Sequence, residues 1–170
     1  MDALFLAFCA GVWVFVLSNA SWGILCFGLL SAPFLGLTLS GVLVGLFGGV
    51  STFSLLLSVG GLLAKISHNL FLSPKACGFL ALFTLFVFSD TLGLLPFSFV
   101  YSSLALPSLC VFALVAFWLD RVLGWLFLSA LALQALLKEP ILYIGMADIY
   151  LLLGACVGLF KGYLARRMRS

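Results

Sequence analysis

From Ala3 to Ala64 the sequence is uncharged and predominantly apolar, punctuated at Ser18-Asn19-Ala20-Ser21 and Ser31-Ala32-Pro33. A chain of this character must place almost every side chain against something apolar, which restricts its solvent and its fold. The rest of the sequence extends the pattern: 65% of the 170 residues are hydrophobic and 8% are charged, where a soluble domain carries about 25% charged residues. The mean hydropathy is +1.36. These features predict an all-α, polytopic integral membrane protein with about six to seven transmembrane or membrane-embedded helices. No polar stretch is long enough for a separate soluble domain. Met1-Asp2-Ala3-Leu4 lacks the basic flank of a secretory signal, so the first apolar run reads as a permanent span.

A membrane span needs about 20 apolar residues. Runs at 3–18, 21–39 and 41–64 are candidates, with two longer, tilted helices as the alternative to three. Gly41, Gly45 and Gly49 recur every fourth residue, a small-residue face that lets two helices approach closely in lipid. Lys65 to Lys75 is the first polar loop, and it carries the lone His68. Further spans are expected at 76–97, 100–119, 122–137 and 141–160. Asp120-Arg121 and Lys138-Glu139-Pro140 punctuate them, and the chain ends in a basic tail with Arg166, Arg167 and Arg169. Gly154, Gly158 and Gly162 form a second stripe. With four spans after Lys75, the loop lysines, Arg121 and the tail fall on one side, which the positive-inside rule makes the matrix or cytoplasm. The expected organisation is one membrane domain over 1–170, divided into N-terminal apolar helices (1–64), a polar loop (65–75), a helical pair (76–125), and C-terminal helices with the tail (126–170).

One stretch departs from plain apolar patterning. Phe88-Ser89-Asp90-Thr91-Leu92-Gly93-Leu94-Leu95-Pro96-Phe97-Ser98-Phe99 puts a carboxylate and a proline at the end of an apolar run. An ionisable group at that depth normally faces a protein interior or a wet cavity, and Pro96 removes a backbone donor and ends or kinks a helix. Asp90-Thr91-Leu92-Gly93-Leu94-Leu95-Pro96-Phe97 resembles the Asn-x-Leu-Gly-Leu-Leu-Pro-Tyr signature of membrane subunit a of the rotary ATP synthases. The similarity runs from about Leu62 to Trp125. It includes an amphipathic stretch, Leu62-Leu63-Ala64-Lys65-Ile66-Ser67-His68-Asn69-Leu70, then the Ser73-Pro74-Lys75 loop, the signature helix, and a Ser/Leu stretch with a central proline, Ser102-Ser103-Leu104-Ala105-Leu106-Pro107-Ser108-Leu109.

The resemblance implies a proton-conducting stator subunit of the Fo sector, or its N-terminal part, next to the c-ring of a mitochondrial inner membrane or of a bacterial or plastid energy-transducing membrane. A structural or accessory membrane subunit without a conducting role is the alternative. The sequence also departs from the family. Asp90 stands where the family has asparagine, and the later Arg-Leu-x-x-Asn-x-x-x-Gly-His helix is absent. A second chain supplying that half is then an expected partner, beside the c-ring, other ATP synthase membrane subunits and lipids.

Proton transfer needs titratable or hydrogen-bonding groups in wet paths and a fixed cation. Asp90, Asp148, Glu139, His68, Gln134 and Tyr143 are the candidates for the path, and Arg166, Arg167 or Arg121 for the cation. Glu139 also reads as a surface partner of Lys138. Asp148, on a face with Gly145 and Ala155, reads as an acid inside a span. Cys9, Cys26, Cys77, Cys110 and Cys156 are scattered singly and read as packing residues. No nucleophile–base pair, phosphate loop or metal-ligand spacing appears, so no catalytic site, metal, cofactor or nucleic-acid partner is expected.

Overall fold

The computed structural model describes residues 2–34, 36–66, 72–96, 98–137, 142–143 and 145–167. The chain divides into two compact units, 1–71 and 72–170.

In the first unit, helix α1 (Asp2–Leu17) and helix α2 (Ala20–Ser31) are joined by only Ser18 and Asn19. Ser18 ends α1 by turning its hydroxyl back to the Val14 carbonyl, 2.8 Å away. The two helices run antiparallel as a helical hairpin, crossing where both lack a side chain. A Cβ on Gly23 would lie 2.7 Å from Phe15 Cβ and 2.8 Å from the Gly11 carbonyl oxygen. Strands β1 (Pro33–Phe34) and β2 (Leu37–Thr38) then form a minimal antiparallel ladder, pairing Pro33 with Thr38 and Phe34 with Leu37. Gly36 supplies the positive φ, 84°, that the turn requires. Thr38 caps helix α3 (Leu39–Phe47) by accepting the Gly41 N–H at 3.1 Å. Helix α4 (Thr52–Ile66) is capped by Ser51, whose hydroxyl accepts the Ser54 N–H at 3.1 Å. Leu6, Ala7, Val12, Phe53 and Leu57 are buried and form the unit's core.

The second unit begins at helix α5 (Pro74–Thr91), with Pro74 in its first turn, where its missing N–H costs nothing. The Ser73 hydroxyl caps it by accepting the Ala76 N–H at 3.2 Å. Helices α6 (Ala105–Leu119), α7 (Arg121–Leu137) and α8 (Ile149–Arg167) follow. Helix α8 packs on α5, and α6 on α7. Asp120 joins two helix starts: one carboxylate oxygen accepts the Ser73 N–H at 3.1 Å, the other the Val122 N–H at 3.0 Å. An aromatic cluster fills the core. Phe83 stands edge-on to Phe112 and Phe127 with centroids 5.1 and 5.3 Å away, and stacks on Tyr143 at 6.3 Å, geometries that aromatic quadrupoles favour.

The expected all-helical character is present: eight helices, with one two-residue ladder, make up the described secondary structure. The expected polytopic membrane architecture is not, because among the described residues no helix is long and apolar enough to cross a membrane. The physical reason is local punctuation inside the apolar runs. The run at 41–64 is cut in two after Phe47, where Gly48 adopts φ 86°. The run at 21–39 stops at Ser31 and gives way to the β-ladder. The run at 76–97 ends at Thr91, and the next helix starts only at Ala105. With no spanning helix among the described residues, the basic residues do not fix an orientation across a membrane.

Candidate functional site

The Asp90 loop shows how a helix stop is built. Gly93, at φ 70°, donates its N–H to the Asp90 carbonyl, and Leu94 donates to the Ser89 carbonyl, both at 2.9 Å. Those two bonds make a Schellman motif, which satisfies the last carbonyls of a helix and favours glycine at this position. The Asp90 side chain holds the far end of the loop. One carboxylate oxygen accepts the Val100 N–H at 2.6 Å, and the Ser98 hydroxyl donates to the same oxygen at 3.4 Å. Asp90 is only 5% exposed and Val100 only 3%, so the bond satisfies a donor that water does not reach. Phe97 lies outside the described residues.

Tyr143 is fully buried, and its phenol oxygen lies 2.6 Å from the Ser108 hydroxyl. Burial pushes the phenol above its ordinary value, the Ser108 hydrogen bond lowers it, and the negative charge of Asp90 raises it further. Asp90, Tyr143 and Ser108 thus form one electrostatic group, drawn from the end of α5, the start of α6 and the turn before α8.

Gln134, on α7, is the other polar group at depth. It is 0% exposed, and among the described residues neither its amide oxygen nor its amide nitrogen has a hydrogen-bond partner. Leaving such a group unmet costs about 1–3 kcal/mol. Gly145 gives it room: a Cβ there would lie 2.7 Å from the Gln134 Nε2.

Asp148 does not sit inside a helix. It precedes α8, and its Oδ1 accepts the Leu151 N–H at 2.6 Å, the geometry of an N-cap. Its nearness to Tyr150 reinforces the upward push that burial gives that phenol.

The candidate cations lie elsewhere. Arg121 opens α7, about 20 Å along the helix from Gln134, beside the Asp120 that ties the starts of α5 and α7. Asp90 is at the other end of α5, about 24 Å along it from Pro74. Arg167 is the exposed last residue of α8, and the backbone of Arg166 belongs to the same helix. His68 and Glu139 lie outside the described residues.

The two glycine stripes differ. Gly158 faces α5, where a Cβ would come within 2.9 Å of Cys77 Sγ, and Gly154 and Gly162 share its helix. Gly41 and Gly45 lie on α3 but Gly49 falls beyond its end. A Cβ on Gly45 would meet nothing within 4 Å, and one on Gly41 only the capping Thr38 hydroxyl. The tight glycine crossing in the first unit, Gly11 against Gly23, has no stripe in either helix to announce it. Its signal is one glycine on each side of a two-residue link.

Comparison with protein-family models, curated proteins and solved structures found no match. The resemblance to subunit a of the ATP synthases rests on the residues quoted above.

Proposed function

We propose that the chain is a structural component of a larger apolar assembly. The assembly nominated by the resemblance through Asp90–Phe97 is the membrane sector of a rotary ATP synthase, in the mitochondrial inner membrane. The observation that carries the structural role is the surface. Trp118 is 86% exposed, Leu136 80% and Ile24 72%, three of many large apolar side chains left open on both units. A protein that works alone in water seldom exposes contiguous apolar patches beyond a few hundred Å², so partner helices or acyl chains are the natural cover. Three of the five acids are engaged locally: Asp90 holds a loop, Asp120 joins two helix starts and Asp148 caps α8.

The test is purification of the tagged chain in mild detergent, with mass spectrometry of what accompanies it. Near-stoichiometric c-ring and F1 subunits, together with a complete conventional subunit a, are the expected result. Recovery of the chain without any ATP-synthase subunit would overturn the assignment.

A second reading, in which the chain forms part of the proton path, is favoured by the buried amide of Gln134, which has no hydrogen-bond partner among the described residues. A water held by that amide would belong to such a path. Under this reading the co-purified set contains a second chain with Arg-Leu-x-x-Asn, and Gln134→Met lowers proton flux in reconstituted vesicles. Under the structural reading, flux is unchanged and the variant is as stable as the parent or more so, since the unmet amide is gone.

A further inference from the structure

The first unit contains a cleft of about 330 Å³ along the seam of α1 and α2. Phe8, Val12 and Phe15 of α1 form one wall, and Ile24 and Phe27 of α2 the other, with Leu62 of α4 closing the side. The lining has no polar surface. Phe8 to Phe15 rises about 10 Å, so the cleft is elongated along the helix axes. Its floor is the Gly11–Gly23 crossing, where the two backbones touch.

One end of the slot is marked by positive charge. Lys65 lies one turn beyond Leu62 on α4, and residues three apart share a helix face. Its ammonium sits 5.9 Å from the centroid of Phe15, one of the lining rings, and donates to the Val16 carbonyl at 3.4 Å. An ammonium has three donors, so it can also receive an anion. Ala20, the first residue of α2, lines the same end. The Asn19 side chain does not cap that helix, so its free N–H groups add to the positive end.

We propose that this cleft is a binding site for a single linear acyl chain with an anionic head, a fatty acid, whose carboxylate pairs with Lys65. An apolar cavity of about 150 Å³ holds a six-carbon ring, so on that scale the slot takes a chain of about twelve carbons. The inference goes beyond the structural role proposed above and does not depend on which assembly contains the chain.

The test uses the 170-residue chain in amphipol and a photoreactive diazirine analogue of dodecanoic acid, with labelled peptides mapped by mass spectrometry. Label should concentrate between Phe8 and Phe27, and dodecanoate should compete about fivefold better than dodecan-1-ol, a preference of about 1 kcal/mol. Lys65→Gln should abolish that preference and Lys65→Arg should retain it. Leu62→Trp and the more exposed Ile24→Trp each fill the slot, and whichever of them keeps the parent's circular dichroism should lose most of the label. The proposal is overturned by label spread evenly over both units, by equal competition from acid and alcohol on the parent chain, or by undiminished labelling of a folded Trp variant.

Discussion

Asp90 offers the sharpest test of the fold, because two substitutions separate its acceptor role from its charge. Asp90→Ala removes the acceptor of the Val100 N–H, 2.6 Å away, at a residue that is 3% exposed. Orphaning a buried donor costs about 1–3 kcal/mol. For a chain of this size, 1 kcal/mol shifts the melting midpoint by about 2–4 °C, so the alanine variant should melt about 2–12 °C lower. Asp90→Asn keeps an oxygen in the same place and loses only the charge assistance, which roughly halves a bond of this kind. Its loss should be under about 1 kcal/mol. The assay is thermal unfolding followed by far-UV circular dichroism in mild detergent, with limited proteolysis of the 92–100 loop as a second readout. Cleavage there should accelerate in the alanine variant and stay near the parent rate in the asparagine variant. An alanine variant that melts within a degree of the parent would show that the carboxylate does not hold Val100. Equal losses in both variants would show that the charge, and not the acceptor, is what the loop requires.

Tyr143→Phe removes the 2.6 Å bond to Ser108 and should cost about 1 kcal/mol, read as a melting shift. The Tyr143 phenol is pushed up by burial, so in the folded chain it keeps its proton where the unfolded chain gives it up. Its contribution is therefore complete below the ordinary phenol value of about 10 and is lost as pH rises through the higher native value; Tyr143→Phe should flatten that alkaline loss, measured by melting points between pH 9 and 12. Gly23→Ala should destabilise by about 1–3 kcal/mol through overpacking, since its Cβ would press on Phe15 and on the Gly11 backbone. Gly45→Ala, which meets nothing, should be neutral or gain up to about 1 kcal/mol from helix propensity, and equal melting shifts in these two would refute the crossing. Gly145→Ala should destabilise through its contact with Gln134, and Gln134→Ala in the same chain should relieve part of that loss, measured as a double-mutant cycle.

Helical character was legible because long apolar runs offer few alternatives for backbone hydrogen bonds. Helix lengths were harder to read. Gly48 and Gly93 each end a helix at positive φ, and in a sequence with 17 glycines the two that stop helices look like those that line them. The stripe at Gly41, Gly45 and Gly49 has the spacing of a packed face, yet the helix ends before its third member. Gly11 and Gly23 have no spacing rule between them, because a crossing of two helices is a property of the turn that joins them. Asp90 and Asp148 were visible as acids in apolar surroundings. Their occupations as a loop clamp and an N-cap depend on where α5 stops and α8 starts, and hydropathy does not mark either boundary. The Tyr143–Ser108 bond joins residues 35 apart, a pairing that only the tertiary fold creates.

The local geometry of Leu92-Gly93-Leu94-Leu95-Pro96 bears on how much weight that motif can carry. Gly93 occupies the one position after α5 that needs a positive φ, and Leu94 supplies the N–H that closes the motif on Ser89. Pro96 follows where a helix can no longer continue. Any apolar helix that must stop and be followed by an extended loop is served by this order of residues, whatever the protein does. Discrimination between the structural and conducting readings therefore lies outside the motif, in residues that a helix stop does not require. Asp90 belongs with the stop, since its carboxylate fastens the loop. Gln134 does not: among the described residues its amide completes no cap, turn or helix end, and it is carried in the core at a cost. A core that keeps such a group without a structural task is where the two readings part, and the Gln134→Met flux measurement acts on that residue alone.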